Sequence, residues 1–189
     1  MSVFPTTKTR QYLDLNGNLV HYFEIPEDHS HLTIESRSTT TTSKRVDFGN
    51  FPYGVPMRSL KEVESSPEAR PYLQSSHFVE ITPEIWRQAV EIQGDSKDVF
   101  QTAYQIMEFV YLNYEYCVST TSVDTHVSEV LKKRKGVCQD FAHAVIALCR
   151  CLGIPARYVS GYFYDSSRDQ IMRGGGASHA WVEVLVNGH

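Results

Sequence analysis

Cys138 stands at the head of Gly136-Val-Cys-Gln-Asp-Phe-Ala-His-Ala-Val-Ile-Ala-Leu-Cys-Arg-Cys-Leu-Gly-Ile-Pro155, a segment patterned as a helix from the cysteine onward. A thiol in a helical first turn sits among backbone N–H groups that no residue of the helix accepts, at the positive end of the macrodipole. That setting favours the thiolate. Lowering a thiol from about 8.5 to about 6 makes the nucleophilic form the majority at neutral pH. Gly136 allows another backbone or a ligand to approach just ahead of the sulfur. The matching base is His179, in Gly174-Gly-Gly-Ala-Ser-His-Ala-Trp-Val-Glu-Val-Leu-Val186, where three glycines lead into an alternating strand. An imidazole at the mouth of a strand is suited to take and return the thiol proton. Cys138 and His179 are therefore the candidate catalytic pair for acyl transfer through a thioester, resolved by water or by an amine.

Other residues of the same types read differently. Cys149 and Cys151 fit as small hydrophobes or near-neutral surface positions on the same helix. His143 is five residues past Cys138, a rotation of about 500°, and faces elsewhere. The run Lys132-Lys-Arg-Lys135 could strengthen the positive field at the sulfur, but exposed charges are screened and a solvated turn accounts for it.

The elements that must position the pair follow from periodicity. Phe141, Val145, Leu148, Cys149 and Leu152 recur at helical spacing, and Gly153 and Pro155 stop the run. Ala180, Val182, Val184 and Val186 share one face of the second segment, and His179, Trp181, Glu183 and Leu185 the other. Upstream, Thr82 caps a helix with Pro83 in its first turn, Ile85, Ala89 and Ile92 on one face, and Gly94 at its end. A second helix begins at Asp95 or Ser96 and buries Val99, Phe100, Ala103, Ile106, Met107 and Val110. Before these the period is two: Tyr12 to Leu15, an Asn16-Gly17 turn and Leu19 to Ile25 form a hairpin. His31 to Arg37 alternates and runs into the Thr-rich stretch from Ser38 to Ser43. Phe48 to Pro71 carries two glycines and four prolines, a density that breaks regular elements. These features divide the chain into a β-rich region over 1–68 and a core over 69–189.

Composition narrows the function classes. With 18 Lys+Arg against 22 Asp+Glu, a net charge of −4 and pI near 6.0, the 189-residue chain lacks a basic footprint for nucleic acid. No apolar run reaches the roughly 18 residues of a membrane span, since His143 and Arg150 interrupt the best candidate. Four cysteines without a CxxC pair, and a start without a signal peptide's pattern, point to a reducing cytoplasm. No acidic loop of the calcium-binding type occurs, and no cofactor is implied. A structural metal site on Cys138, His143 and His179 is a weaker alternative, because their spacing matches no zinc pattern.

Three segments, Gly136-Val-Cys-Gln-Asp-Phe-Ala-His, Leu152-Gly-Ile-Pro-Ala-Arg-Tyr-Val-Ser-Gly-Tyr162 and Ala177-Ser-His-Ala-Trp-Val-Glu183, resemble, in order and spacing, the bacterial cysteine hydrolases of the transglutaminase-like superfamily. The stretch from Asn16 to Glu35 more weakly resembles the β-rich region that precedes their core. The resemblance implies an α+β, papain-like core, with the nucleophile on a helix packed against an antiparallel sheet and a partial β-rich region in front. It implies Cys138 as nucleophile, His179 as general base and acid, and a peptide or protein substrate carrying ordinary or glutamine-type amides. The family's orienting Asp would fall beyond His189. Asn187 is some 26 Å along the strand from His179 and cannot replace it, and Asn187-Gly188 reads as a turn without a second strand. On this reading the sequence is a fragment, weakly active or inactive as it stands, since losing the orienting group costs about 10⁴ in an analogous triad. One oxyanion donor is the Cys138 backbone N–H; candidates for the second are Gln139, Trp181, Tyr114 and Tyr116. The alternative is a protein-interaction module whose chemistry has lapsed.

Overall fold

The computed structural model describes residues 1–41, 51–118, 125–162 and 178–186. The tri-glycine approach at 174–176, the turn at 187–188 and the end of the Thr-rich stretch lie outside them. The chain divides into two compact units, Met1–Val46 and Asp47–His189.

In the first unit β1 (Ser2–Phe4) pairs antiparallel with β4 (Thr33–Glu35), and β2 (Arg10–Leu13) with β3 (Leu19–Tyr22). The expected hairpin is β2–β3. Its turn uses Gly17 at φ +78°, and the Asp14 carboxylate accepts from the Asn16 and Asn18 N–H groups at 2.8 Å each.

The second unit holds the helical core. It includes the proline-rich segment, which is tied to the helices. Met57 N–H donates to the Lys97 carbonyl and Val99 N–H to the Val55 carbonyl, both at 2.8 Å. The segment is also not without regular structure: α1 (Leu60–Glu64) fits between Pro56 and Pro67, and buries Leu60. Then come α2 (Pro83–Gln93) and α3 (Val99–Asn113). Thr82 Oγ1 caps α2 by accepting from Ile85 N–H at 3.3 Å, and Gly94 ends it at φ +52°.

Helix α3 starts at Val99, four residues after Asp95 and three after Ser96, because Asp98 Oδ1 takes the Gln101 N–H at 2.8 Å. Its inner face includes Thr102, whose hydroxyl donates to the Asp98 carbonyl at 2.7 Å, while Met107 is exposed. A further helix, α4 (Val127–Lys133), was not expected; Val127, Val130 and Leu131 anchor it. Two short strands, β5 (Glu115–Tyr116) and β6 (Lys135–Gly136), pair in parallel.

The last helix, α5 (Cys138–Cys151), is the centre of the unit. It packs against α2, α3 and α4 and against the antiparallel pair β7 (Ala156–Gly161) and β8 (His179–Val184). Every residue from Ala142 to Cys149 is buried, so α5 is enclosed rather than amphipathic as its spacing suggested. Ala144 and Ala147, both fully buried, let neighbours approach, and Ile146 and Leu148 each contribute about 1.5–3 kcal/mol of apolar burial. The α+β arrangement, with the cysteine-bearing helix on an antiparallel pair, is the one expected. Among the described residues no helix is long and apolar enough to cross a membrane.

Candidate active site

Cys138 is the first residue of α5 and is half-buried. The N-cap, Val137, has extended backbone and no side-chain acceptor. Asp140 supplies the reciprocal half of a capping box from inside the first turn: its Oδ2 accepts from Val137 N–H at 2.8 Å, and the residue is only 2% exposed. A Cβ at Gly136 would lie 2.7 Å from Asp140 Cβ and 2.8 Å from its Cγ. Gly136 therefore makes room for the Asp140 carboxylate, not for a ligand or a distant backbone. Sequence reasoning missed Asp140; the signal was an acid three residues after the N-cap, masked because valine there breaks the usual capping pattern.

His179 is the first residue of β8, half-buried, and pairs across the sheet with Gly161. The Trp181 indole crosses that same glycine, where a Cβ would meet its Cζ3 at 3.1 Å. Strand β8 runs along α5, with Val182 and Val184 packed on the core and Trp181 and Glu183 exposed, as the alternation predicted. Glu183 pairs with Arg157 on β7 at 2.6 Å.

Between α5 and β7 lies an aromatic group that the sequence did not reveal. The His143 ring is stacked on Phe78 with centroids 5.5 Å apart and planes 5° apart, and its other neighbour is Tyr158 of β7 at 5.3 Å. His143 is 6% exposed, and its Nδ1 has no hydrogen-bond partner among the described residues. Burial lowers its pKa, with Asp140 opposing and Arg150 reinforcing the shift. The Tyr158 phenol is held above its usual range by burial and then by the nearby Cys138 thiol. Enclosed between two rings, His143 is in no position to share a metal with Cys138 and His179. Among the described residues no group of three His, Cys, Asp or Glu side chains could hold a metal ion.

The remaining candidates separate by burial. Tyr114 lies in the core, with its hydroxyl enclosed and burial pushing its pKa up to about 12. Tyr116 is 56% exposed, opposite Gly136 in the β5–β6 pair, with its ring 6.2 Å from Phe141. Gln139 is half-buried beside Cys138. The basic run is largely engaged elsewhere: Lys133 pairs with Glu129, Lys135 with Glu115 at 2.7 Å, and Arg134 lies over Phe109.

Residues 87–189 match the model of the transglutaminase-like superfamily, and residues 1–41 that of the bacterial transglutaminase-like N-terminal region. The uncharacterized protein ML0607 of Mycobacterium leprae is 26% identical over 190 residues, covering all of this chain and 66% of that protein. The uncharacterized protein Mb2599c of Mycobacterium bovis is 30% identical over 177 residues, covering 89% of this chain and 55% of its own length. The chain thus spans about half to two-thirds of the length of these two relatives. The crystal structure of a "putative cysteine protease" from Cytophaga hutchinsonii has the same fold. Its TM-score is 0.65 at 23% identity, over 99% of this chain and 61% of that one.

Proposed function

Because the chain belongs to the transglutaminase-like superfamily, we propose that it carries the acyl-transfer centre of a thiol-dependent amide hydrolase or acyltransferase, with Cys138 as nucleophile and His179 as base and acid. The observation that carries this reading is the position of Cys138, half-exposed on the first turn of the central helix, with the strand headed by His179 packed along that helix. Cys138 Sγ attacks the carbonyl carbon of an amide, and His179 takes the thiol proton. The C–N bond then breaks, the amine departs with that proton, and a thioester remains on Cys138. Water returns a carboxylic acid; a primary amine returns a new amide. Hydrolysis of peptide or glutamine-type amides is the preferred outcome, by family analogy. Four cysteines outside any disulfide support a reducing compartment such as the cytoplasm.

Alkylation by iodoacetamide, read for each cysteine by peptide mass spectrometry, tests the assignment. Burial pushes Cys149 up to about 12 and Cys151 up to about 11, so neither reacts near neutral pH, and the assignment requires Cys138 to label faster than Cys117 as well. His179→Ala should slow Cys138 alkylation about tenfold or more and, with a scissile amide, lower turnover about 10²–10⁴-fold. A Cys138 that labels no faster than Cys149, or that ignores the loss of His179, overturns the reading.

A further inference from the structure

Tyr158 is a polar side chain in the neighbourhood of Cys138 whose ring packs against a buried partner. It projects from β7 opposite Val182, on the sheet face that packs against α5. Its ring rests 5.3 Å from His143, which is itself stacked on Phe78. His143 lies five residues, about 7.5 Å of helical rise, beyond Cys138, and Cys138 is near enough to Tyr158 to contribute to its raised pKa. Tyr158 is 40% exposed, so its ring is gripped on one side while the residue still reaches solvent. Tyr116, the nearest rival, sits on a two-residue strand and is 56% exposed. A donor to developing negative charge is effective when it is held in place before the charge appears.

We propose that the Tyr158 hydroxyl is the side-chain donor to the oxyanion formed on Cys138, and that His143 and Phe78 are positioning residues that hold its ring. The inference rests on Cys138 as nucleophile. As the S–C bond forms, the carbonyl π pair moves onto oxygen, and the phenol O–H donates to it without giving up its proton. Collapse restores the C=O bond as the leaving group departs. The buried, neutral imidazole thereby acquires a use that its burial alone does not supply: a flat support between Phe78 and Tyr158 on the same helix as the nucleophile.

Two reagents that meet the same sulfur test the proposal. Acylation by p-nitrophenyl acetate passes through a tetrahedral oxyanion, whereas alkylation by iodoacetamide does not. Tyr158→Phe should slow the acylation burst roughly hundredfold and leave Cys138 alkylation within about twofold, since only an oxyanion needs the donor. Tyr116→Phe should leave both rates unchanged. His143→Ala should slow acylation selectively, and His143→Phe, which keeps a ring in place, should restore most of it. If Tyr158→Phe fails to fold, 3,5-difluorotyrosine at 158 decides the matter. Its hydroxyl ionises at lower pH, so acylation should fall as that proton is lost while alkylation continues. Full-speed acylation without the Tyr158 hydroxyl, equal slowing of both reactions, or a Tyr116 effect in place of a Tyr158 effect overturns the proposal. An acetyl group recovered on a residue other than Cys138, or a burst that survives Cys138→Ala, instead refutes the nucleophile assignment and is told apart by that signature.

Discussion

Gly136 and Asp140 work as one unit at the residue scale. The carboxylate takes the Val137 N–H and occupies the space where any side chain at 136 would be. Gly136→Ala should cost about 1–3 kcal/mol of stability, measured by urea unfolding, because Cβ would press on the Asp140 Cβ and Cγ as well as on its Oδ2. Cys138 and His179 stood out in the sequence because reactive residue types at the start of a helix and of a strand form a local pattern. Asp140 and Tyr158 did not. The first caps a residue with no side-chain oxygen, and the second meets α5 only after the chain has turned back on itself as β7.

Arg150 ties the far end of α5 to its neighbours. Its guanidinium donates to the Ala156 carbonyl from Nε at 3.1 Å and from Nη2 at 2.8 Å, and to the Gln74 carbonyl from Nη1 at 2.6 Å. One side chain thus joins the helix to the start of β7 and to the segment before α2. Arg150→Ala should lower unfolding stability by about 2–3 kcal/mol, and Arg150→Lys should recover only part of it, since an ammonium lacks the planar fork. Helix α2 was legible to its caps, because Thr82, Pro83 and Gly94 act locally. The start of α3 was misplaced because Asp95, Ser96 and Asp98 are all competent caps; Asp98 also accepts from Gly54 N–H at 2.6 Å, a contact 44 residues away. The enclosure of α5 was hidden for a related reason. Helical spacing marks one face, and only packing by α2, α3, α4 and the β7–β8 pair shows that the other faces are covered as well.

At the scale of the whole molecule, acid should weaken the fold through His143. The native state holds this imidazole below its ordinary 6.5, by burial and with Arg150 reinforcing, while Asp140 works against the shift. The unfolded chain therefore binds a proton more readily, so this contribution is complete above 6.5 and is lost as pH falls through that value toward the lower native one. Thermal midpoints measured across that window should decline in the unsubstituted protein and decline less in His143→Phe. Outside this pocket, His126 pairs with Glu80 at 2.8 Å, and its ring lies 5.8 Å from His77. The first unit ends at Val46, and the proline and glycine beyond it mark where regular elements stop and not which neighbours that segment joins. The enclosure of α5 carries a further consequence. Amides along its middle turns can exchange with deuterium only when the surrounding helices and strands come apart together, so heat inactivation and global melting should trace the same curve.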